Sequence, residues 1–297
     1  MTDKQLYSQR VIREIMDDNK LHFKKSLGQN FLTDLNILQK IVAAADVTKE
    51  STVIEIGPGI GTLTQQLANA AGQVIAIELD QRFLPILNEN FWDQDHVSII
   101  HGDALTVDLH QIIKEQVKFP TIHVVANLPY YVTTPILMKL LEEHLPLTNI
   151  VVMIQKEVAQ RIQAQPGTKE YGALSIAAQY YAKPEIVCIV PKTVFIPEPN
   201  VDSAVIRLSI YEEPKVKVFS EEIFFAAIKA GFANRRKTLW NNFKGFRNDI
   251  VPEQIRAIFE KASIDEKRRG ETLSIEEYAV LSNEIHHFIE ANKNLHG

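Results

Sequence analysis

The chain has 297 residues and one cysteine, so no disulfide can close within it. Cys188 lies in the apolar run IVCIV, where a buried inert thiol is the better reading than a nucleophile. Long hydrophobic runs are absent too: no stretch nears the roughly 18 apolar residues of a membrane span. The first thirty residues mix charges and hold no signal-peptide core. These absences predict a soluble cytoplasmic protein with no membrane partner. No internal repeat or low-complexity segment occurs, and no metal is expected. Positive charge is not in excess, with 32 Lys and Arg against 37 Asp and Glu, net −5. That balance argues mildly against nucleic acid as a partner, yet clustering matters more than the sum. Residues 221–247 carry six basic residues (Lys229, Arg235, Arg236, Lys237, Lys244, Arg247) against Glu221 and Glu222. A basic face can therefore form, although each charge alone also fits a solvated surface.

What is present is a strand and helix alternation. Residues 1–22 read as an exposed amphipathic helix or arm, and KKSLGQNFL (24–32) as a glycine-interrupted loop. Asp34 fits as the cap of the helix LNILQKIVAAA. From residue 52 the apolar runs TVIEI, QVIAIEL, VSIIHGD, IHVVAN and NIVVMIQ read as strands, separated by helices at 61–71, 81–91 and 135–145. A helix at 156–164, another at 175–182, a strand at 185–190 and an alternating strand at 201–210, antiparallel to its neighbour, complete the pattern. Strands apolar along their whole length belong to a mostly parallel sheet covered on both faces, which binds ligands beyond its strand carboxyl ends. After the charged segment 211–218 only helical spacing remains. The expected fold is α/β and Rossmann-like over 1–211, with a small all-helical domain over 212–297.

The turn after the first strand is Glu55-Ile56-Gly57-Pro58-Gly59-Ile60-Gly61. Glycines let the backbone bend sharply and approach a ligand. A dinucleotide loop G-x-G-x-x-G would need glycine at 62, where Thr62 stands; Gly57, Gly59 and Gly61 with Glu55 instead resemble the loop of S-adenosylmethionine enzymes. Glu78 ends the second strand, where two carboxylate oxygens match the vicinal diol of a ribose. Asp103 follows the third strand and either accepts from an adenine amino group or caps a helix. Gln29 and Asn30 are short polar residues able to reach a cofactor, with Leu32, Leu79 and Ala104 beside the same sites.

Asn127-Leu128-Pro129-Tyr130 follows the fourth strand and suits chemistry on an exocyclic amino group. The nitrogen of such a group is a poor nucleophile because its lone pair is delocalised into the ring. Two acceptors, the Asn127 side-chain oxygen and the Leu128 carbonyl, would draw it toward a tetrahedral form. Pro129 fixes the backbone and offers no competing N–H. Tyr130 offers a face for the base, worth about 1–3 kcal/mol per stacked base. Phe195, in the loop FIPEPN, either clamps the other face of a flipped base or packs in the core.

Together these residues resemble the ribosomal RNA adenine N6-dimethyltransferase family, from about Lys24 to Leu239. The matching stretches are KKSLGQNFL, VIEIGPGIGTLT, IAIELD, GDAL, NLPYYVTTPIL, MIQKEVAQRI, YGALSIAAQYY, VFIPEPNVDSAVIRL and FANRRKTL. Within that family Leu128, VDSAV and Arg235-Arg236-Lys237-Thr238-Leu239 favour the branch acting on 16S rRNA of the small ribosomal subunit. The resemblance implies S-adenosylmethionine as cofactor and dimethylation of two adjacent adenines near the 3′ end, with a role in ribosome biogenesis. It implies a cofactor site at the Gln29–Asn30 segment, the glycine loop, Glu78, Asp103 and Asn127. Base contacts fall to Asn127, Leu128, Tyr130 and Phe195. Arg235, Arg236 and Lys237 would meet RNA phosphate, and a monomer is expected. Three other functions compete: a 23S rRNA methyltransferase of the macrolide-resistance type, a non-catalytic assembly factor, and a dinucleotide oxidoreductase, which Thr62 disfavours.

Overall fold

A computed structural model describes residues 4–23 and 28–296, with side chains to residue 292. The first part of KKSLGQNFL, residues 24–27, lies outside the described residues. In chain order the elements are α1 (Gln9–Asp18), β1 (Phe31–Leu32), α2 (Leu35–Ala44), β2 (Ser51–Ile56), α3 (Thr62–Ala70), β3 (Gln73–Glu78), α4 (Leu84–Asn90) and β4 (Val97–His101). There follow α5 (Leu109–Gln116), β5 (Thr121–Asn127), α6 (Thr133–Glu142), β6 (Asn149–Gln155), α7 (Lys156–Gln163), α8 (Ala173–Tyr181), β7 (Ala182–Val190), β8 (Phe195–Ile196) and β9 (Ser203–Ile210). Helices α9 (Glu221–Gly231), α10 (Leu239–Phe243), α11 (Pro252–Lys261) and α12 (Ile275–His296) close the chain.

The chain divides into two compact units. The first holds Met1–Ala159 and Lys183–Ile210, and the second Gln160–Ala182 and Tyr211–Gly297. The first unit is built on a seven-stranded sheet in the order β4-β3-β2-β5-β6-β9-β7. The five strands from β4 to β6 run parallel and β9 is antiparallel to β6, so the sheet is the α/β one expected. Every residue of β2 and β3 is buried, which is why these segments read as continuous apolar runs. The chain winds outward from β2 to β3 and β4 on one side, and from β5 to β6 on the other. The order reverses between β2 and β5, and a crevice opens beyond the strand ends at such a switch point.

The amphipathic helix expected within residues 1–22 is present as α1, but its apolar face is covered rather than exposed. Its Ile12, Ile15 and Met16 are buried in a cluster with Phe31, Ile60, Phe83, Ile86, Leu87 and Phe91. Each such burial stabilises by about 1.5–3 kcal/mol, so this helix is part of the core. Helix α2 starts as expected, with the Asp34 carboxylate accepting from Ile37 N at 3.1 Å.

The second unit is helical, and it takes in residues 160–182 as well as the segment after 211, against the boundary expected at 211/212. The reason is aromatic packing. The Tyr180 ring lies 5.0 Å from Phe224, and its hydroxyl donates to Glu221 Oε1 at 2.9 Å. The Tyr171 hydroxyl donates to the Leu273 carbonyl at 3.0 Å. Inside the unit, Tyr278 is fully buried and donates to the Gly270 carbonyl at 3.1 Å.

Candidate active site

The crevice at the switch point is a cavity of about 290 Å³ in the first unit. Strands β2 and β5 set its floor. Because Ile56 pairs with Ala126, the glycine loop after β2 and the N-L-P-Y turn after β5 emerge side by side. Gly57, Gly59 and Gly61 all have positive φ, at 69°, 61° and 94°. Two of them do different work. A Cβ on Gly57 would meet nothing within 4 Å among the described residues, so the loop is open to the cavity there. A Cβ on Gly61 would fall 2.5 Å from Phe91 Cε2, so this glycine lets α3 pack against Phe91. Gly61 does not line the cavity, against the sequence expectation of a cofactor contact.

The carboxylates are held by backbone donors. Glu78 Oε2 accepts from Gly59 N at 2.9 Å and Oε1 from Asp80 N at 2.7 Å. Burial pushes its pKa up, against those two hydrogen bonds. Glu55 is fully buried, and burial first and the Glu78 charge second raise its pKa to about 8, while the nearby Thr64 hydroxyl opposes the rise. Its Oε2 has no hydrogen-bond partner among the described residues, although the side chain lines the cavity. Asp103 Oδ1 accepts from Leu105 N at 2.9 Å, a local turn rather than a helix cap, and the side chain still lines the cavity. These groups fit a nucleoside carrying positive charge. An open glycine cradle, a buried glutamate with an unsatisfied carboxyl oxygen and a diol-matched carboxylate belong to residues that line one cavity.

On the other wall, Asn127 Nδ2 donates to the Asn30 carbonyl at 2.9 Å. That bond uses one of the two amide N–H groups and fixes which side of the amide carries the oxygen, the acceptor available to a ligand. Pro129 follows with φ −59°, and its carbonyl accepts from the Thr133 hydroxyl at 3.1 Å, which pins the turn. The Tyr130 hydroxyl shares a hydrogen bond with Ser203 Oγ at 2.9 Å, fixing the ring at the cavity wall.

Residues 20–286 match the family described as Ribosomal RNA adenine dimethylase. A protein of Bacillus pumilus named Ribosomal RNA small subunit methyltransferase A is 57% identical over 276 residues, 91% of this chain and 94% of its own. Its namesake in Alkaliphilus metalliredigens is 54% identical over 273 residues, 92% and 95% of the two chains. A dimethyladenosine transferase from Plasmodium falciparum superposes with a TM-score of 0.73 at 27% identity, over 87% of this chain and 97% of that one. The chain belongs to the ribosomal RNA adenine dimethylase family. A 23S rRNA methyltransferase, with a TM-score of 0.64 at 23% identity, shares the fold.

This adenine dimethylase is an S-adenosylmethionine-dependent enzyme. Its cavity brings together most of the residues singled out from sequence: Gln29, Asn30, Leu32, Glu55, Gly57, Gly59, Glu78, Leu79, Asp103, Ala104, Asn127, Leu128, Pro129 and Tyr130. Phe195 is placed otherwise. It is 3% exposed, packs in a cluster with Leu32, Val53, Val125 and Val205, and does not line the cavity. The cause is β8, whose antiparallel pairing sets Phe195 opposite Leu32 and turns its ring into the core. The base clamp expected of it is corrected to the alternative core role. Arg235, Arg236 and Lys237 lie in the second unit, exposed on the turn between α9 and α10 rather than on a helix face. Arg235 Nη2 donates to the Lys169 carbonyl at 2.8 Å.

Among the residues lining the adenine dimethylase cavity that the sequence did not single out are Tyr131, Asp80 and Phe83. Tyr131 lines it with 55% of its surface exposed, a freer aromatic face than Tyr130. Its signal was the second tyrosine of NLPYY. Asp80 and Phe83 line it too, two and five residues after Glu78. The acid in IELD with Arg82 two residues on was the sign of an ion pair there.

Proposed function

We propose that this enzyme places two methyl groups on each of two adjacent adenines near the 3′ end of 16S rRNA, in a precursor of the small ribosomal subunit. It would act as a cytoplasmic monomer in ribosome biogenesis. The single observation that carries the base chemistry is the hydrogen bond from Asn127 Nδ2 to the Asn30 carbonyl. It orients the amide so that its oxygen can accept from a target amino group, with the Leu128 carbonyl as the second acceptor. Drawing both hydrogens toward acceptors pulls the nitrogen toward tetrahedral geometry and frees its lone pair. S-adenosylmethionine supplies an electrophilic methyl on a sulfonium.

Glu78 would hold the ribose diol, Asp103 the adenine amino group of the cofactor, and the Gly57 loop the backbone approach. No strong base is required, because a methylated amino nitrogen is cationic and loses its proton readily to water. Catalysis is then chiefly orientation, an effect worth up to about 7–11 kcal/mol in well-aligned systems. Tyr130 and the exposed Tyr131 give the extruded base aromatic surfaces. We assign the helical unit to ribosome binding, with Arg235, Arg236 and Lys237 as phosphate contacts. Their exposure supports this.

The test is labelled methyl transfer to small subunits from cells lacking these methyls, followed by primer extension across the 3′ ends of both rRNAs. Stops at two adjacent adenines of 16S rRNA are expected. No incorporation by protein that still binds cofactor would sink the proposal, and stops only in 23S rRNA would reassign the substrate.

A further inference from the structure

We propose that Arg82 and Asp80 are positioning residues for methyl transfer, a latch that holds residues 28–32 against the cavity so that the Asn30 carbonyl fixes the Asn127 amide. The proposal rests on the reading of Asn127 as an acceptor for the target base.

The latch starts at a buried carboxylate. Asp80 is 6% exposed, and its oxygens take a fork from Arg82, with Nε at 2.9 and 3.1 Å and Nη2 at 2.5 Å. The same Oδ2 accepts from Gln29 Nε2 at 3.0 Å, which ties Asp80 to a residue 51 positions earlier in the chain. The Arg82 Nη1 also reaches the His22 carbonyl at 3.4 Å. One ion pair therefore touches the N-terminal chain at His22 and at Gln29. The arginine bonds hold the Asp80 carboxyl down at about 2, so the charge is present throughout the neutral range. Next to Gln29 stands Asn30, whose carbonyl takes the Asn127 Nδ2 hydrogen bond at 2.9 Å. The route from Arg82 to the base-site amide is thus a short series of hydrogen bonds and one peptide.

An apolar contact fastens the same segment independently. The Phe31 ring meets Phe83 edge-on at 5.8 Å, and both belong to the core. This second anchor means that loss of the polar latch should leave the segment folded onto the sheet but less exactly placed. An amide oriented by one hydrogen bond is sensitive to such a change, because displacement by about 1 Å can cost around a hundredfold in rate. Arg82 does not line the cavity, so its replacement removes no direct contact with a ligand there.

Arg82→Gln tests the latch, with Arg82→Lys as the conservative variant that keeps a positive charge beside Asp80. Three readouts are needed: kcat on small subunits, cofactor affinity by calorimetry, and the side-chain amide signals of Asn127 in the cofactor-free protein by 15N NMR, assigned by their loss in Asn127→Asp. We expect kcat to fall about tenfold or more in Arg82→Gln, cofactor affinity to fall by a clearly smaller factor because Gln29 and Asn30 also border the cavity, and the Asn127 signals to broaden or average. Arg82→Lys should recover part of kcat and the sharper signals. Unchanged kcat with unchanged Asn127 signals would overturn the inference, as would a loss confined to thermal stability or cofactor affinity. Asn127→Ala separates the two claims. If it retains turnover, the base-site reading itself fails. If it loses turnover while Arg82→Gln does not, only the latch fails.

Discussion

Glu55 makes the cofactor-free protein sensitive to pH, in a direction opposite to that of most carboxylates. Burial and the Glu78 charge raise its pKa from 4.5 to about 8. The folded protein therefore keeps a proton that the unfolded chain has released between those two values. Stability is full below about pH 4.5, falls as pH rises, and levels off above about pH 8. At about 1.4 kcal/mol per pH unit the loss across that window is about 5 kcal/mol. That is a large fraction of the roughly 5–15 kcal/mol that stabilises a typical domain. Glu55→Gln keeps the shape and removes the titration. Urea unfolding of the cofactor-free protein, followed by circular dichroism from about pH 5 to pH 9, should show a falling curve for the parent and a flatter one for the variant. Near pH 5 the two should nearly coincide, and near pH 9 the variant should be the more stable by several kcal/mol. Parallel curves would refute the reasoning, because they would mean that the carboxyl ionises in the fold as it does in water. The bound cofactor carries net positive charge, so its affinity should rise with pH over the same window in the parent and less in Glu55→Gln.

Asn127→Ala should lower methyl transfer by about two to three orders of magnitude with a far smaller loss of cofactor affinity, as measured by single-turnover labelling and calorimetry. Phe195→Ala should destabilise the first unit by about 3–5 kcal/mol, yet leave kcat per folded molecule near normal. A large loss of kcat without loss of stability would restore the clamp. Gly61→Ala should lower the melting temperature through its clash with Phe91 and its positive φ together, whereas Gly57→Ala, with open space around its Cβ, should cost only the strain of its positive φ, about 1–2 kcal/mol, and weaken cofactor binding besides. Replacing Arg235, Arg236 and Lys237 together by alanine should weaken subunit binding and flatten its salt dependence without touching cofactor affinity.

Local chemistry made much of this protein legible in its sequence. Strands β2, β3 and β5 are largely buried on both faces, so their apolar runs could hardly read otherwise, and each carries at or next to its carboxyl end a residue unusual in a core: Glu55, Glu78 and Asn127. The glycine spacing before Thr62 and the N-L-P-Y turn are likewise local features, which point to a cofactor and a base chemistry without any knowledge of distance. What only the tertiary structure decided is the pairing of β2 with β5, some seventy residues apart, which sets the two motifs on one cavity. It also decided the fate of Phe195, because whether a loop aromatic faces solvent or core depends on the strand it pairs with, here β1. Helix α1 and residues 160–182 went where hydrophobic partners from distant parts of the chain awaited them. Gly61 owes its place to Phe91, just beyond the end of α4. The Asn30 carbonyl that orients Asn127 has no sequence signature at all, since every residue carries one. Side-chain type and spacing record which chemistry is possible; the folded chain alone determines which backbone group stands 2.9 Å away to aim it.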